Sequence, residues 1–350
     1  MDENMRKHIL TLICTLAALA LLQRLLVPKY MEGVTEGSFV ADYYDTVASY
    51  PKNLKTAAKN GGAPLHDVLI LGDCEVYNNL STVTLWEEYG INSFIRGTPQ
   101  QTMWQSYYLL EETLKYETPR VVVLSVFAMQ YNEPQNEIYN RMTLDNMKWS
   151  AAKVASIRAS MTEGEHFIDY VFPLLRFHDR WKSLETQDLS YFLDRKTTTF
   201  HGYDLRTGIK APATLPTPRP LETASFGGNA LSYLDRIVSL CKERGIALVL
   251  LKAPSLYPHW YAEWEEQITF YADEQDLPYL NLLTLQEEIG LDFEKDTYDG
   301  GLHLNVNGAE KSAAYLGAFL QNSYRLENRK DDPALASHWN SILSAYQKAK

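Results

Sequence analysis

The chain lacks the residue patterns typical of disulfide-rich, zinc-binding and nucleic-acid-binding proteins. Its 350 residues include only three cysteines, Cys14, Cys74 and Cys241, at wide spacings and without a Cys-x-x-Cys pair. This pattern excludes a disulfide framework, and we predict neither a metal site nor a cofactor. A basic cluster is also lacking, and 33 Lys and Arg against 44 Asp and Glu give a net charge of -11. Because nucleic-acid affinity depends on Lys and Arg that neutralise phosphates, we predict no nucleic-acid partner.

Short apolar runs that alternate with helix-like segments predict the fold class. Hydrophobic residues make up 45% of the chain, which is enough for a packed core. Runs without polar alternation at 66–71, 120–126, 246–252 and 278–282 indicate buried strands. Strands of this kind, separated by helices, are typical of a parallel sheet covered on both faces. We therefore predict an α/β fold, a three-layer α/β/α sandwich with a mostly parallel sheet.

A long apolar run near the N-terminus predicts one transmembrane helix. Residues 9–27 are almost entirely apolar, and as a helix they would span roughly 28 Å, close to the thickness of a bilayer core. A cleaved signal peptide is the alternative, but the small-residue triplet at 18–20 lies inside the run, which favours an uncleaved anchor. Arg6 and Lys7 precede the run. The positive-inside rule therefore predicts a single-pass cell-membrane protein whose main domain lies outside the cytoplasm.

The same patterns divide the chain into four parts. Residues 1–28 form a cytoplasmic stub and the anchor, and 29–62 form a polar, Tyr-rich connector. Residues 63–325 form the α/β domain, and 326–350 form a helical tail. An insertion at about 145–225 interrupts the domain, since its aromatic, helix-like first part and its Pro-rich second part do not continue the rhythm of strands and helices.

Three segments contain residues suited to catalysis at the edge where open α/β sheets bind ligands. Cys74 follows the first strand in Gly-Asp-Cys-Glu, where it is either an exposed nucleophile or a small buried hydrophobe. His303 lies on a Gly-rich loop close after Asp299, and a carboxylate can orient an imidazole that acts as a general base. Gly97, in the loop-like segment 95–101, could offer an unhindered backbone N–H.

Together these segments resemble the block pattern of the SGNH, or GDSL-like, hydrolase superfamily. Gly72-Asp73-Cys74 is similar to its nucleophile block, Gly97 to its second block, and Asp299 with His303 to its last block. The stretch at 303–309 is especially similar to membrane-anchored members that act in O-acylation of cell-surface polymers, such as the alginate acetylation and teichoic acid D-alanylation proteins.

The resemblance implies an acyl-ester enzyme, either an O-acyltransferase or an esterase, that takes an acyl donor and a cell-surface polysaccharide or related glycan. It implies that Cys74 attacks the acyl carbonyl, that His303 is general base and then acid, and that Asp299 orients His303. The backbone N–H groups of Cys74 and Gly97 would form the oxyanion hole, together with the later Asn132.

Departures from the family pattern leave a second interpretation open. Cys74 stands in place of the family serine, Asp299 and His303 are four residues apart instead of three, and Asn132 comes later than the family asparagine. The alternative is therefore a catalytically inactive subunit that binds glycan or partners with a membrane-bound O-acyltransferase.

Neighbouring residues complete the predicted site. Asp73, Lys252 and Tyr257 are candidates for substrate binding, although Lys252 could simply terminate a strand and Tyr257 belongs to an aromatic group that could instead pack in the core. Two opposing influences act on the pKa of the Cys74 thiol. A neighbouring imidazole would lower it, whereas the charges of Asp73 and Glu75 would raise it.

Overall fold

A five-stranded parallel sheet forms the centre of the protein. The computed structural model describes residues 2–27, 39–193, 200–221 and 223–350. The strand order is β2-β1-β3-β4-β5, and every neighbouring pair is parallel. The strands are β1 (Val68–Gly72), β2 (Ser93–Gly97), β3 (Val121–Ser125), β4 (Ala247–Lys252) and β5 (Tyr279–Asn281). The predicted α/β class with a parallel sheet is confirmed.

Helices cover both faces of this sheet, which makes the three layers. The helices are α1 (Glu3–Leu26), α2 (Phe39–Ser49), α3 (Lys52–Lys59), α4 (Cys74–Asn79), α5 (Thr82–Tyr89), α6 (Met103–Thr113), α7 (Glu137–Leu144), α8 (Ala151–Ser160), α9 (Phe167–Val171), α10 (Leu174–Phe177), α11 (Thr186–Leu193), α12 (Gly228–Arg244), α13 (Ala262–Gln275), α14 (Gln286–Ile289), α15 (Val306–Tyr324) and α16 (Pro333–Ala349), with 3-10 helices at Phe127–Gln130, His178–Ser183 and Arg329–Asp331.

Local sequence explains where the elements begin and end. Every residue of β1 and β3 is buried, so these strands need apolar side chains on both faces. Ser81 caps the start of α5 by accepting a hydrogen bond from the Thr84 N–H. Gly90 and Gly245 end α5 and α12 in the left-handed conformation, where a side chain would be strained.

Strand β2 corrects the sequence-based interpretation, which takes residues 95–101 as a loop. The strand contains Arg96, whose side chain is fully buried. Its guanidinium donates to the carbonyl of Leu109 (2.9 Å) and to Thr113 Oγ1 (2.8 Å), and it lies over the Tyr43 ring at 4.3 Å. Because α6 and α2 supply these partners, a charged residue can be buried in this strand. The charge interrupts the apolar run, so the sequence alone does not predict the strand.

The segment predicted as a connector contributes to the core from Val40 onward. It contains α2 and α3, and Tyr43 and Tyr50 are buried. The Tyr43 hydroxyl donates to Glu117 Oε1 at 2.9 Å. At the other end of the chain, α16 packs Trp339 in a parallel stack on Trp86, with ring centroids 5.2 Å apart.

Helix α1 has the properties predicted for a membrane-spanning segment. It has 24 residues, its mean hydropathy over the most apolar window is 2.1, and only 6% of that window is buried. A signal sequence has the same properties, so the helix shows only that the chain has a segment long and apolar enough to span a bilayer.

Candidate functional site

Cys74 lies at the tight turn between β1 and α4, on the carboxyl edge of the sheet. Strand β1 ends at Gly72, where a Cβ atom would come within 2.6 Å of the Ser125 Cβ on the neighbouring strand β3. Asp73 caps α4, because its side chain accepts a hydrogen bond from the Glu75 N–H at 3.1 Å. Cys74 is therefore the first residue of α4, as expected for a nucleophile at a strand-to-helix turn.

Gly97 is the last residue of β2 and pairs in register with Gly72. A Cβ atom at Gly97 would lie 3.0 Å from the Gly72 carbonyl oxygen and 3.4 Å from the Asp73 carbonyl oxygen. The strand register thus brings the predicted second block beside the backbone that leads into Cys74. The close approach explains why a residue without a side chain is suited to this position.

Asp299 and His303 form a hydrogen-bonded pair despite their four-residue spacing. His303 Nδ1 lies 2.7 Å from Asp299 Oδ2, and the His303 backbone N–H donates to Asp299 Oδ1 at 2.8 Å. The loop between them accommodates the extra residue because Gly300 and Gly301 adopt positive φ angles of 88° and 104°. The carboxylate accepts the Nδ1–H of a neutral imidazole, which leaves Nε2 with a free lone pair. Nε2 is buried and has no hydrogen-bond partner among the described residues.

Asn79, which the sequence analysis does not include, joins the segments of the site. It is the last residue of α4, the helix that begins at Cys74. Its Oδ1 accepts a hydrogen bond from the Leu304 N–H at 2.8 Å, and its Nδ2 donates to the Pro254 carbonyl at 3.0 Å. One amide thus holds together helix α4, the histidine loop and the loop after β4. Its only signal in the sequence is its position five residues after Cys74.

The surroundings of Cys74 favour a neutral thiol. Burial raises the pKa of the Cys74 thiol well above its ordinary value, and the charges of Asp73, Glu75 and Asp299 raise it further. The influences that oppose the thiolate therefore dominate. Burial, assisted by the charge of Glu75, also raises the pKa of Asp73 to about 8. In the described residues Cys74 Sγ and His303 Nε2 form no hydrogen bond.

Lys252, a predicted substrate-binding residue, lies in a fully buried ion pair beside the turn at Cys74. Its Nζ lies 2.9 and 3.0 Å from the two carboxylate oxygens of Glu75, 2.6 Å from the Ala253 carbonyl oxygen and 3.0 Å from Ser255 Oγ. Ser255 Oγ also donates to Glu75. Lys252 and Glu75 have no solvent-exposed side-chain surface. We refer to Lys252, Glu75 and Ser255 as the buried ion cluster.

Two aromatic residues border the Asp299–His303 pair. The hydroxyl of Tyr257, a predicted substrate-binding residue, donates to the Asp299 carbonyl at 3.4 Å. Tyr298 stacks on the His303 ring, with centroids 5.9 Å apart and ring planes 12° apart. The guanidinium of Arg206 lies 5.7 Å from the Tyr298 ring centre. Aromatic surface thus lies directly beside the imidazole.

The insertion contributes Asp204, which the sequence analysis also does not include. The Asp204 N–H donates to the Tyr77 carbonyl of α4 at 2.8 Å, and its carboxylate pairs with Arg206 at 2.7 Å. Asn78 Nδ2 donates to the same carboxylate at 3.3 Å. The second half of the insertion therefore contacts the helix that begins at Cys74.

Asn132 contacts the first turn of α12 from a distant part of the chain. Its Oδ1 accepts a hydrogen bond from the Asn229 N–H at 3.0 Å, and its carbonyl accepts one from Asn229 Nδ2 at 3.2 Å. A Cβ atom at Gly227 would overlap the Asn132 side chain. Asn132 thus fixes the entry into α12, and its role as an oxyanion donor stays a prediction.

The described residues contain no group of three or more His, Cys, Asp and Glu side chains that could hold a metal ion. All three cysteines are free: Cys14 is exposed on α1, Cys241 is buried in α12, and Cys74 is half-buried.

Comparisons with known proteins give similarity only to solved structures. No family model and no curated protein matches the chain. A protein from Bacteroides fragilis assigned as an acylhydrolase is 14% identical, with 81% of this chain and 96% of that chain covered and a TM-score of 0.39. A GDSL-like lipase from Bacteroides thetaiotaomicron is 11% identical, with 82% and 100% covered and a TM-score of 0.37. A lipolytic protein assigned to the G-D-S-L family, from Desulfitobacterium hafniense, is 12% identical, with 72% and 97% covered and a TM-score of 0.36. Because these TM-scores are below 0.5, the fold class rests on the sheet order and the register described above.

Proposed function

We propose that the chain is a membrane-anchored, extracytoplasmic acyl-ester enzyme that uses Cys74 as its nucleophile. The observation that carries this proposal is the Asp299–His303 pair, whose Nε2 is buried and unpartnered among the described residues. The pair lies in the same cluster of loops as Cys74, because Asn79 binds the residue after His303. A buried imidazole with one nitrogen oriented by a carboxylate and the other free has the arrangement of a general base.

In the proposed first step the Cys74 thiol attacks an acyl ester. His303 Nε2 accepts the Sγ proton as the S–C bond forms, and the negative charge moves to the carbonyl oxygen. The backbone N–H groups of Cys74 and Gly97 would stabilise that oxyanion. The C–O bond to the leaving alcohol then breaks, and His303 gives the proton to the departing oxygen. The products are a thioester on Cys74 and a free alcohol.

In the second step a hydroxyl of the acceptor, or water, attacks the thioester. His303 takes the hydroxyl proton and returns it to Sγ as the C–S bond breaks. Asp299 stabilises the imidazolium in both steps, because its carboxylate lies 2.7 Å from Nδ1. A glycan hydroxyl as acceptor gives O-acyl transfer, and water gives hydrolysis. We propose a cell-surface polysaccharide as acceptor, on the strength of the resemblance at 303–309.

The raised pKa of the Cys74 thiol decides how the nucleophile is activated. A thiol that stays neutral at pH 7 is not a preformed thiolate, so its proton must be removed during attack. This mechanism makes His303 a general base, as it would be for serine, and it gives Asp299 a direct role in the rate.

A second candidate function is an inactive subunit that partners with a membrane-bound O-acyltransferase. The observation in its favour is that Cys74 Sγ and His303 Nε2 form no hydrogen bond in the described residues, while burial disfavours the thiolate. Catalytic hydrogen bonds can also tighten only when substrate binds, so the missing hydrogen bond is compatible with both functions. The two functions differ in whether Cys74 reacts with an acyl donor.

The test is intact-mass detection of an acyl adduct on the full-length protein in detergent micelles, after exposure to p-nitrophenyl acetate. We expect an added acetyl group on the wild type, loss of the adduct in Cys74→Ala, and an adduct at least tenfold slower in His303→Gln. Cys241→Ala is the matched control and should behave as wild type. No adduct on the wild type, together with one on Cys74→Ser, would reject cysteine catalysis and favour the inactive subunit.

A further inference from the structure

The insertion exposes an unusual number of apolar side chains. We define the insertion layer as residues 167–193, which comprise α9, α10, the 3-10 helix His178–Ser183 and α11. Outside α1, eleven large hydrophobic residues are more than a third exposed in the described part of the chain, and six of them lie in this layer. They are Ile168, Phe172, Leu175, Trp181, Leu189 and Leu193, which are 47% to 73% exposed. Concentrated apolar exposure of this kind marks an interaction surface.

The insertion layer contacts the end of α1 that leaves the proposed membrane. Arg180 Nη1 donates to the carbonyl of Leu26 at 3.0 Å, and Leu26 is the buried residue of α1. Arg180 is itself held by Asp188, 2.6 Å away. The guanidinium of Arg24 lies 5.6 Å from the centre of the Phe192 ring. The layer thus sits at the level where a membrane-spanning α1 emerges from the hydrocarbon.

We propose that the insertion layer rests in the interfacial region of the bilayer that holds α1. This inference relies on the membrane anchoring in the proposed function. We propose lipid as the partner of this surface because the insertion layer is in direct contact with the end of α1. Most residues of α1 are exposed and would themselves contact lipid. Aromatic side chains such as Trp181 and Phe172 are favoured at the headgroup level, and short amphipathic helices bury their apolar faces there.

The charges of the insertion layer indicate which lipids it binds. Its formal charge is -1, from three basic and four acidic side chains: Arg176, Arg180 and Lys182 against Asp169, Asp179, Glu185 and Asp188. A surface with this balance gains nothing from anionic headgroups. Apolar burial therefore drives the contact, and zwitterionic lipid is sufficient.

Side chains of α7 connect the insertion layer to the candidate site. Arg176 in the layer pairs with Glu137 at 2.9 Å, and Arg141 lies 4.1 Å from the centre of the Tyr170 ring. Thr143, at the other end of α7, forms a 2.5 Å hydrogen bond with Thr98, the residue after Gly97. A layer seated on the bilayer would hold the site at a fixed height above the membrane, where membrane-borne acyl donors can reach it.

The test is depth-dependent quenching of a fluorescent probe on the full-length chain in phosphatidylcholine vesicles. The probe is attached by Leu175→Cys in a background with Cys14→Ala, Cys74→Ala and Cys241→Ala. Matched controls carry it by Phe270→Cys, because Phe270 is 67% exposed but lies on α13, and by Leu16→Cys in the anchor. We expect lipid-borne quenchers to quench the probe at 175 at least threefold more than the probe at 270, without anionic lipid.

Each other outcome overturns the proposal. A probe at 175 that behaves as the one at 270, while the probe at 16 is quenched, would show an anchor without a seated layer. An emission shifted to the blue but insensitive to lipid quenchers would indicate a second copy or another protein as the occupant. An unquenched probe at 16 would remove the anchor as well. The acyl adduct on Cys74 is measured independently. A result against membrane contact of the insertion layer is therefore distinguishable from a result against the proposed enzyme activity.

Discussion

The buried ion cluster gives the sharpest test of how the turn at Cys74 is held together. Lys252 and Glu75 have no exposed side-chain surface, and Glu75 directly follows Cys74. Replacing Lys252 by Met keeps the length of the side chain but leaves the Glu75 carboxylate buried without its cation. Removing one partner of a buried pair typically costs about 3–5 kcal/mol. Since a whole domain is stable by roughly 5–15 kcal/mol, this loss would be a large fraction of the total.

The assay is denaturant unfolding of the full-length protein in nonionic detergent, followed by tryptophan fluorescence. We expect Lys252→Met to lower the free energy of unfolding by about 3–5 kcal/mol. The double variant Lys252→Met/Glu75→Gln should lose less than the sum of the two single variants, by about 0.5–3 kcal/mol. Lys242→Met is the matched control, because Lys242 contacts Gln275 on the surface, and it should change stability by less than about 0.5 kcal/mol. A loss below about 1 kcal/mol in Lys252→Met would refute the role of the ion pair.

Three further predictions concern the thiol, the histidines and the loop glycines. Alkylation of Cys74 by iodoacetamide should be slow at pH 7 and still accelerate above pH 9. Above pH 9, where Asp73 is ionised, Asp73→Asn should speed the alkylation, because the variant keeps the cap but removes a carboxylate charge that raises the pKa of the thiol. Burial lowers the pKa of His338 to about 4, and burial also lowers that of His201, whose Nε2 lies 2.8 Å from His338 Nε2. The unfolded chain therefore binds more protons, so thermal stability should fall as the pH drops from about 6.5 to about 4, and His338→Gln should reduce this dependence. Gly301→Ala places a side chain at a φ of 104° and should slow acyl-adduct formation at least tenfold by displacing the histidine loop.

Each of these predictions has a contradicting result. Rapid alkylation of Cys74 at pH 7 would show a stabilised thiolate. A pH profile unchanged in His338→Gln would show that other groups control acid unfolding. Adduct formation at the wild-type rate in Gly301→Ala would mean that the loop geometry is not needed for the base. Circular dichroism of each variant verifies that the fold is retained.

Sequence alone predicts the parts of the site whose signals are local. Apolar runs locate β1, β3, β4 and β5. Because open α/β sheets bind ligands at the carboxyl ends of their strands, these positions also predict that Cys74 and the histidine loop lie at the same edge of the sheet. Strand β2 escapes this reasoning because the charge of Arg96 is compensated by backbone and side-chain groups of α2 and α6, which only the folded chain brings together. Asn79 and Asp204 escape it for the same reason, since the contacts that join them to other segments of the site span 126 to 225 residues along the chain.

The Asn79 amide has a consequence for the order in which the chain is completed. Its two partners are 175 and 225 residues downstream, so these hydrogen bonds at the end of α4 can form only after nearly the whole domain has been synthesised. Contacts of such long range form late in folding. We expect Cys74 to be more accessible until they form, and an accessible thiol in an oxidising compartment undergoes disulfide exchange and oxidation. In the proposed extracytoplasmic location, chains that stall before these hydrogen bonds form should therefore be oxidised at Cys74, whereas the completed fold holds the thiol in its neutral form.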